Sequence, residues 1–373
     1  MGHPDKLCDL IADSILDACL WEDADSRVAC EVMATKGRII VAGEITCSEY
    51  VDLKSVTRSA LRRAGYDPKC YKISLYIQTQ SPDIAAGVNG ALESREDSAD
   101  PYSVIGAGDQ GTMYGYATKE TTEMLPLPLV LAHRIVKRLD ECRKGKLIKG
   151  IFPDGKAQVT VEYDGESPVR VKTVVVSIQH AEQKEQSRLR EEIMSKVLWP
   201  SFEDFPVDGE TEILINPSGR FVVGGPDADT GLTGRKLMVD TYGGLTFHGG
   251  GALSGKDATK VDRSGTYMAR FIAKNIVASG LAEKCEVALS YAIGKANPVA
   301  VDVNSFGTSE LSDVELGEIV QGAFDLRPAA IIEKLKLRSP NFAATATYGH
   351  FHSRLFPWEG CTMYEKLKDC GPF

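Results

Sequence analysis

The sequence predicts an α+β fold of three similar units, each a sheet backed by helices. Strand-like and helix-like periods alternate from end to end, and three such rounds can be counted. A length of 373 residues suits two or three domains, and the apolar and charged fractions are those of an ordinary globular chain. The three rounds place expected domain edges near 100 and 223, giving units 1–100, 101–223 and 224–373, although no residue-level repeat relates them.

Each element has its own signal. Residues 7–22 carry apolar side chains at 7, 10, 11, 15 and 18, with Pro4 and Asp5 suited to a first turn, and so read as a helix. RVACEVMA (27–34) and RIIVAGEIT (38–46) are strands around a Lys36-Gly37 hairpin tip. A helix over 51–64 ends at Gly65, and CYKISLYIQ (70–78) alternates as a strand. The second round has a helix over 128–143, strands at 157–163 and 169–178, a helix near 182–196 and a strand at 212–215. The third has a helix over 261–279, strands at 285–292 and 299–306, and helices around 312–324 and 328–336. The Gly-, Asp-, Ser- and Pro-rich stretch 80–109 reads as a lid.

A net charge of −9 argues against nucleic-acid binding, which needs clustered cations facing phosphates. The nine cysteines include no C-x-x-C, so zinc ribbons and thioredoxin-type pairs are excluded and reduced, mostly buried thiols in the cytoplasm are expected. No apolar run approaches the ~18 residues of a membrane span. The start, MGHPDKLCD, lacks a signal-peptide pattern.

GGALSGKD (250–257) has the glycine and lysine spacing of a Walker A loop, yet Asp257 stands where Ser or Thr should hold Mg²⁺. Tight turns explain any one glycine cluster. The clusters at 224–236 and 242–257, however, deliver Arg235, Lys236, Lys256 and Lys260 within a short span of an acidic chain. Gathered by the fold, these would form a polyphosphate pocket, with Asp5, Asp257 and Asp262 as candidate Mg²⁺ carboxylates. For Asp257 a turn role is preferred, and Asp262 also suits a helix start. His3 taken alone reads as a surface histidine and Phe221 as core. His350 and His352, spaced to share one face of a strand, read as structural.

GHPDK (2–6), GEIT (43–46), QSPDI (80–84), GAGDQG (106–111), INPSGRFVVGGP (215–226), GLTGRK (231–236), DTYGG (240–244) and GGGALSGKDATKVDRS (249–264) together closely resemble the S-adenosylmethionine synthetase family, over residues 2 to about 359. The resemblance implies a pseudo-threefold arrangement of domains with mixed sheets, and synthesis of S-adenosylmethionine from ATP and L-methionine. It further implies hydrolysis of the released triphosphate, with two Mg²⁺ per site and K⁺. His3 would donate to the leaving triphosphate oxygen, Asp5 and Asp262 would hold Mg²⁺, and Glu31 would bind K⁺. Glu44, Gln80 and Lys260 would face methionine, Asp229 both substrates, and Asp109 the reacting centre. Asp154, Lys156, Arg235, Lys236, Ala252 and Lys256 would contact ATP, with Arg220 and Phe221 flanking adenine. A homodimer with sites between subunits, pairing into a tetramer, is also implied, with no nucleic-acid or membrane partner.

Two features depart from the family pattern. A dozen or so residues usually precede GHPDK, so either the start lies upstream or a strand and some lining of the site are absent. ALESREDSA, within the 80–109 lid, looks inserted. A phosphotransferase would need a strand directly before Gly250 and a hydroxyl after Lys256, and has neither. A non-catalytic regulatory paralogue would have lost several polar site residues, and nearly all are present.

Overall fold

A computed structural model describes residues 1–81, 90–96, 100–202, 205 and 207–368. Residues 82–84 of QSPDI, together with 85–89 and 97–99 of the expected lid, lie outside the described residues. The chain forms mixed and antiparallel sheets backed by helices, the α+β architecture of the sequence reading.

The first sheet has the order β3-β2-β1-β8. Strands β1 (Arg27–Thr35) and β2 (Arg38–Thr46) form an antiparallel hairpin, with Gly37 at a φ of 65° supplying the left-handed turn. Strand β3 (Lys72–Gln78) runs parallel to β2, and the two-residue β8 (Gly231–Leu232) caps the far edge of β1. Helix α1 (Pro4–Glu22) packs on β1, on helix α2 (Leu53–Ala64) and on β8. These contacts and those with 342–344 bury it almost all round.

Helix α3 (Leu92–Glu96) precedes strand β4 (Gly111–Thr118), which the sequence reading missed because its glycines resemble turn signals. Gly115 instead permits close approach: a Cβ there would fall 2.0 Å from the Ala269 carbonyl carbon, so β4 presses directly on the long central helix. The middle layer is helix α4 (Leu127–Lys144) against strand β5 (Ile151–Asp164), which pairs with β6 (Ser167–His180) and through it with β7 (Glu212–Ile215). Strand β5 starts six residues earlier than the alternation suggests, because a bulge between Ile151 and Gly155 absorbs Pro153 at the sheet edge. Helix α5 (Gln186–Ile193) runs on through a π turn at 194–198. The turn after β8 leads into the short helix α6 (Leu237–Asp240).

Helix α7 (Val261–Ser279) is buried on all sides between β4, β9 (Lys284–Tyr291) and the C-terminal segments. Strand β10 (Ala300–Asn304) completes the antiparallel sheet β10-β9-β4. Helices α8 (Asp313–Ala323), α9 (Pro328–Lys334) and α10 (Tyr364–Lys368) follow. One large core joins the first sheet, α1, α7 and the antiparallel sheet, while a smaller one fills the space between α4, α5 and the β5-β6-β7 sheet. The free edge of β1 faces both glycine-rich loops, and this places the site.

Candidate active site

The start of α1 and the turn after β8 meet at a compact charged cluster. His3 caps α1, its Nδ1 accepting from the Asp5 N–H at 3.2 Å, which leaves the proton of a neutral ring on Nε2. Burial, followed by the Lys236 and Lys156 ammoniums, lowers the His3 pKa to about 4, so the ring is a neutral donor at pH 7. Asp5 accepts from Leu232 N–H at 3.0 Å and from Lys236 Nζ at 2.5 Å. Burial opposes its charge, but the Lys236 ammonium and the Leu232 N–H outweigh that and hold its pKa below the usual carboxylate range.

His3, Lys156 and Lys236 line one cleft of about 590 Å³, whose floor is apolar at Leu129, Ala132 and Tyr242. Asp154 is buried beside it, accepting from Gly225 N–H at 2.8 Å, and burial raises its pKa. Asp229 and Arg235 are exposed. Phe221 is half-buried and held by His180, whose Nε2 accepts its N–H at 3.1 Å, so it is not the core residue its neighbours Val222 and Val223 suggest. Arg220 is exposed and paired with Glu182 at 2.5 Å.

A second cluster lies further along the free edge of β1. Lys256 bridges to Ala29 of β1, and Ala29 pairs with Glu44 of β2 on its other side. Glu31 shares that face; burial raises its pKa, the Lys256 ammonium opposes the rise and Glu44 adds to it. Lys256 Nζ lies 2.5 Å from Asp262 Oδ2, and Gly251 makes room for that carboxylate, since a Cβ there would fall 2.1 Å from Asp262 Oδ1. Gln78 donates to Glu44 at 3.0 Å, and Gln80 N–H to Thr46 Oγ1 at 3.2 Å.

The cations of the glycine-rich loops are therefore divided, Lys236 in the first cluster and Lys256 and Lys260 in the second, while Arg235 beside Lys236 is exposed. The clusters adjoin where Gly234 passes Ala252, a Cβ on the glycine falling 2.3 Å from the alanine Cβ. Asp109 is exposed, its carboxylate turned onto its own Gln110 N–H, and no side-chain contact links it to either cluster among the described residues.

Models of the S-adenosylmethionine synthetase N-terminal, central and C-terminal domains match residues 1–83, 104–221 and 223–360. The chain belongs to the S-adenosylmethionine synthetase family. Similar relatives include the S-adenosylmethionine synthases of two strains of Thermus thermophilus, each 54% identical over 376 residues, 98% of this chain and 95% of the relative.

Within this family member the Walker-like Asp257 has a structural role. Its buried carboxylate accepts from Val28 N–H at 2.7 Å and from Thr259 N–H at 2.9 Å, and it also pairs with Lys260, so it sews the loop to β1. Gly255 at a φ of 82° lets the loop approach β1 until a Cβ would sit 2.1 Å from the Cys30 oxygen. Among the described residues no three His, Cys, Asp or Glu side chains converge as a closed metal site. Single carboxylates such as Asp5 and Asp262 instead fit a hard cation whose remaining ligands are phosphate oxygens and water, the habit of Mg²⁺. No helix is long and apolar enough to cross a membrane among the described residues.

Several supporting residues escaped the sequence reading. Buried Lys6 lies 2.5 Å from Asp240 Oδ1 and 3.0 Å from Asp9 Oδ2, and Asp9 accepts from Gly234 N–H at 2.8 Å. This clamp ties the loop bearing Arg235 and Lys236 to the helix bearing His3 and Asp5. Arg263 and Asp13 form a fully buried bidentate pair at 2.7 and 2.9 Å, and Asp13 also accepts from Gly255 N–H. His350, by contrast, is structural as its sequence context suggests, buried 2.7 Å from the Tyr267 hydroxyl, although its segment is not the strand its spacing suggests. The i,i+3 spacing of Lys6 and Asp9 was the one available signal.

Proposed function

We propose that the protein makes S-adenosylmethionine from ATP and L-methionine and hydrolyses the released triphosphate to phosphate and diphosphate before product leaves. The observation that carries this reading is the pairing of each proposed metal ligand with a proposed phosphate ligand: Asp5 with Lys236, and Asp262 with Lys256. Polyphosphate with its cation exchanges both pairs at once, taking the ammoniums onto phosphate oxygens and freeing the carboxylates. The Lys–Asp pairs thus keep the clusters satisfied until substrate arrives.

In the transfer, a lone pair of the methionine sulfur forms the S–C5′ bond as the C5′–O bond breaks and its electron pair leaves with triphosphate. A thioether has no proton to lose, so no general base is required, and the difficulty lies in the charge of the leaving group. His3 Nε2–H is placed to donate to the departing oxygen, while Lys156, Arg235, Lys236 and Lys256 hold the triphosphate. Two Mg²⁺, held by Asp5 and Asp262, would supply further charge neutralisation. Glu31 would take K⁺, and Glu44, Gln80, Lys260 and Asp229 would orient methionine. Arg220 and Phe221 would flank adenine, with Asp154 and Ala252 completing the nucleotide contacts.

Among the described residues Asp109 makes no side-chain contact with either cluster, which favours a homodimer whose sites lie between subunits, in a cytoplasmic enzyme of three units near 1–100, 101–223 and 224–373. Incubation with ATP, methionine, Mg²⁺ and K⁺ tests the reading. S-Adenosylmethionine, phosphate and diphosphate should appear in equal amounts; ADP with a phosphorylated acceptor would reject it.

A further inference from the structure

We propose that Cys19 and Cys47 form an oxidative modification site that closes to an intramolecular disulfide when a small-molecule disulfide acts as oxidant. Cys19 lies in the last turns of α1 and Cys47 immediately after β2, and the two segments are laced together by one residue. Asp23 donates its N–H to the Cys19 carbonyl at 2.8 Å and accepts the Ser48 N–H at 2.9 Å. Cys47 Sγ consequently sits 3.9 Å from the Cys19 carbonyl oxygen, which brings Cys47 onto the turn of α1 that carries Cys19. Both are free thiols.

Their exposures differ in the way a two-step exchange needs. Cys19 is fully buried, whereas Cys47 is half-buried. Cys30 also lies within the field of Cys19, but it is buried in the middle of β1, with its N–H bound to Gly255, so it offers no entry point.

In the first step the Cys47 thiolate attacks one sulfur of the oxidant, forming a mixed disulfide and expelling one thiolate, which takes up a proton. Cys19 then gives its proton to solvent and attacks Cys47 Sγ, expelling the second thiol. Two electrons and two protons pass from the pair to the oxidant, which leaves as two thiols. The bridge would fasten the end of β2, the strand that carries Glu44 and whose Thr46 receives the Gln80 N–H.

The test treats the full chain with oxidised glutathione and maps its peptides without reduction. The expected result is a Cys19–Cys47 cross-linked pair, reversed by dithiothreitol and abolished in Cys47→Ser. Cys19→Ser, shown by circular dichroism to be folded, should instead retain a glutathione adduct on Cys47. A lasting adduct on Cys47 in the unaltered chain, a bridge between any other cysteines, or no loss of thiols would overturn the proposal.

Discussion

Asp5 Oδ2 lies 2.5 Å from Lys236 Nζ, so in the free protein a proposed metal ligand occupies a proposed phosphate ligand. Removing the carboxylate charge frees the ammonium. Asp5→Asn should bind imidotriphosphate about 3–10-fold more tightly in chelator-treated buffer, while Mg²⁺-dependent turnover falls by at least ~10²-fold. Calorimetry beside a rate assay reads both, and weaker binding in the variant would show that the pair does not compete with phosphate.

Lys236 and Lys256 are each only part-buried, so neither supports much of the core. Lys236→Met and Lys256→Ala should each lower turnover by about 10²–10³-fold with thermal midpoints nearly unchanged. A variant that lost activity only by unfolding would return these lysines to a structural role.

Gly251 is needed by its neighbour more than by its own backbone. Gly251→Ala places a methyl 2.1 Å from where Asp262 Oδ1 now lies, displacing that carboxylate from Lys256. Turnover should fall at least tenfold and the Mg²⁺ requirement should rise, with secondary structure intact by circular dichroism.

Lys6 is buried with two carboxylates. Lys6→Met leaves both without their cation and should cost about 3–5 kcal/mol in urea unfolding, with Lys6→Met/Asp240→Asn recovering part of it. An unchanged midpoint would mean that the carboxylates are held by something else.

Asp17 accepts the Phe342 and Ala343 N–H groups at 2.7 and 2.8 Å, yet burial pushes its pKa up to about 6 from an unfolded 3.8. The folded protein therefore holds this proton more tightly. The contribution is fully present below pH 3.8 and is lost as pH rises through 6, an effect of roughly 1–3 kcal/mol. Denaturant unfolding between pH 4 and 7 should show a flatter profile for Asp17→Asn than for the unaltered chain.

Where neighbours in sequence decide a feature, it was legible beforehand. The apolar period of α1, its Pro4-Asp5 first turn, the Gly65 stop and the Lys36-Gly37 tip all emerge as read, whereas His3, which alone reads as a surface residue, is the part-buried cap of α1. The family motifs were likewise visible as short runs. What sequence concealed depends on distant partners. Strand β8 is two residues long and exists because β1 offers a free edge, and Gly115 has its meaning only beside Ala269. Lys6 reaches Asp240 across 234 residues. Nor could spacing reveal that Lys236 and Lys256 separate into two clusters, since they follow different stretches of the β1 edge.

A crystal structure with an ATP analogue, methionine and Mg²⁺ tests the central claim most directly. The account predicts Lys236 and Lys256 on phosphate oxygens, with Asp5 and Asp262 released from them to the metal. Nucleotide bound elsewhere, with both ion pairs intact, would contradict it.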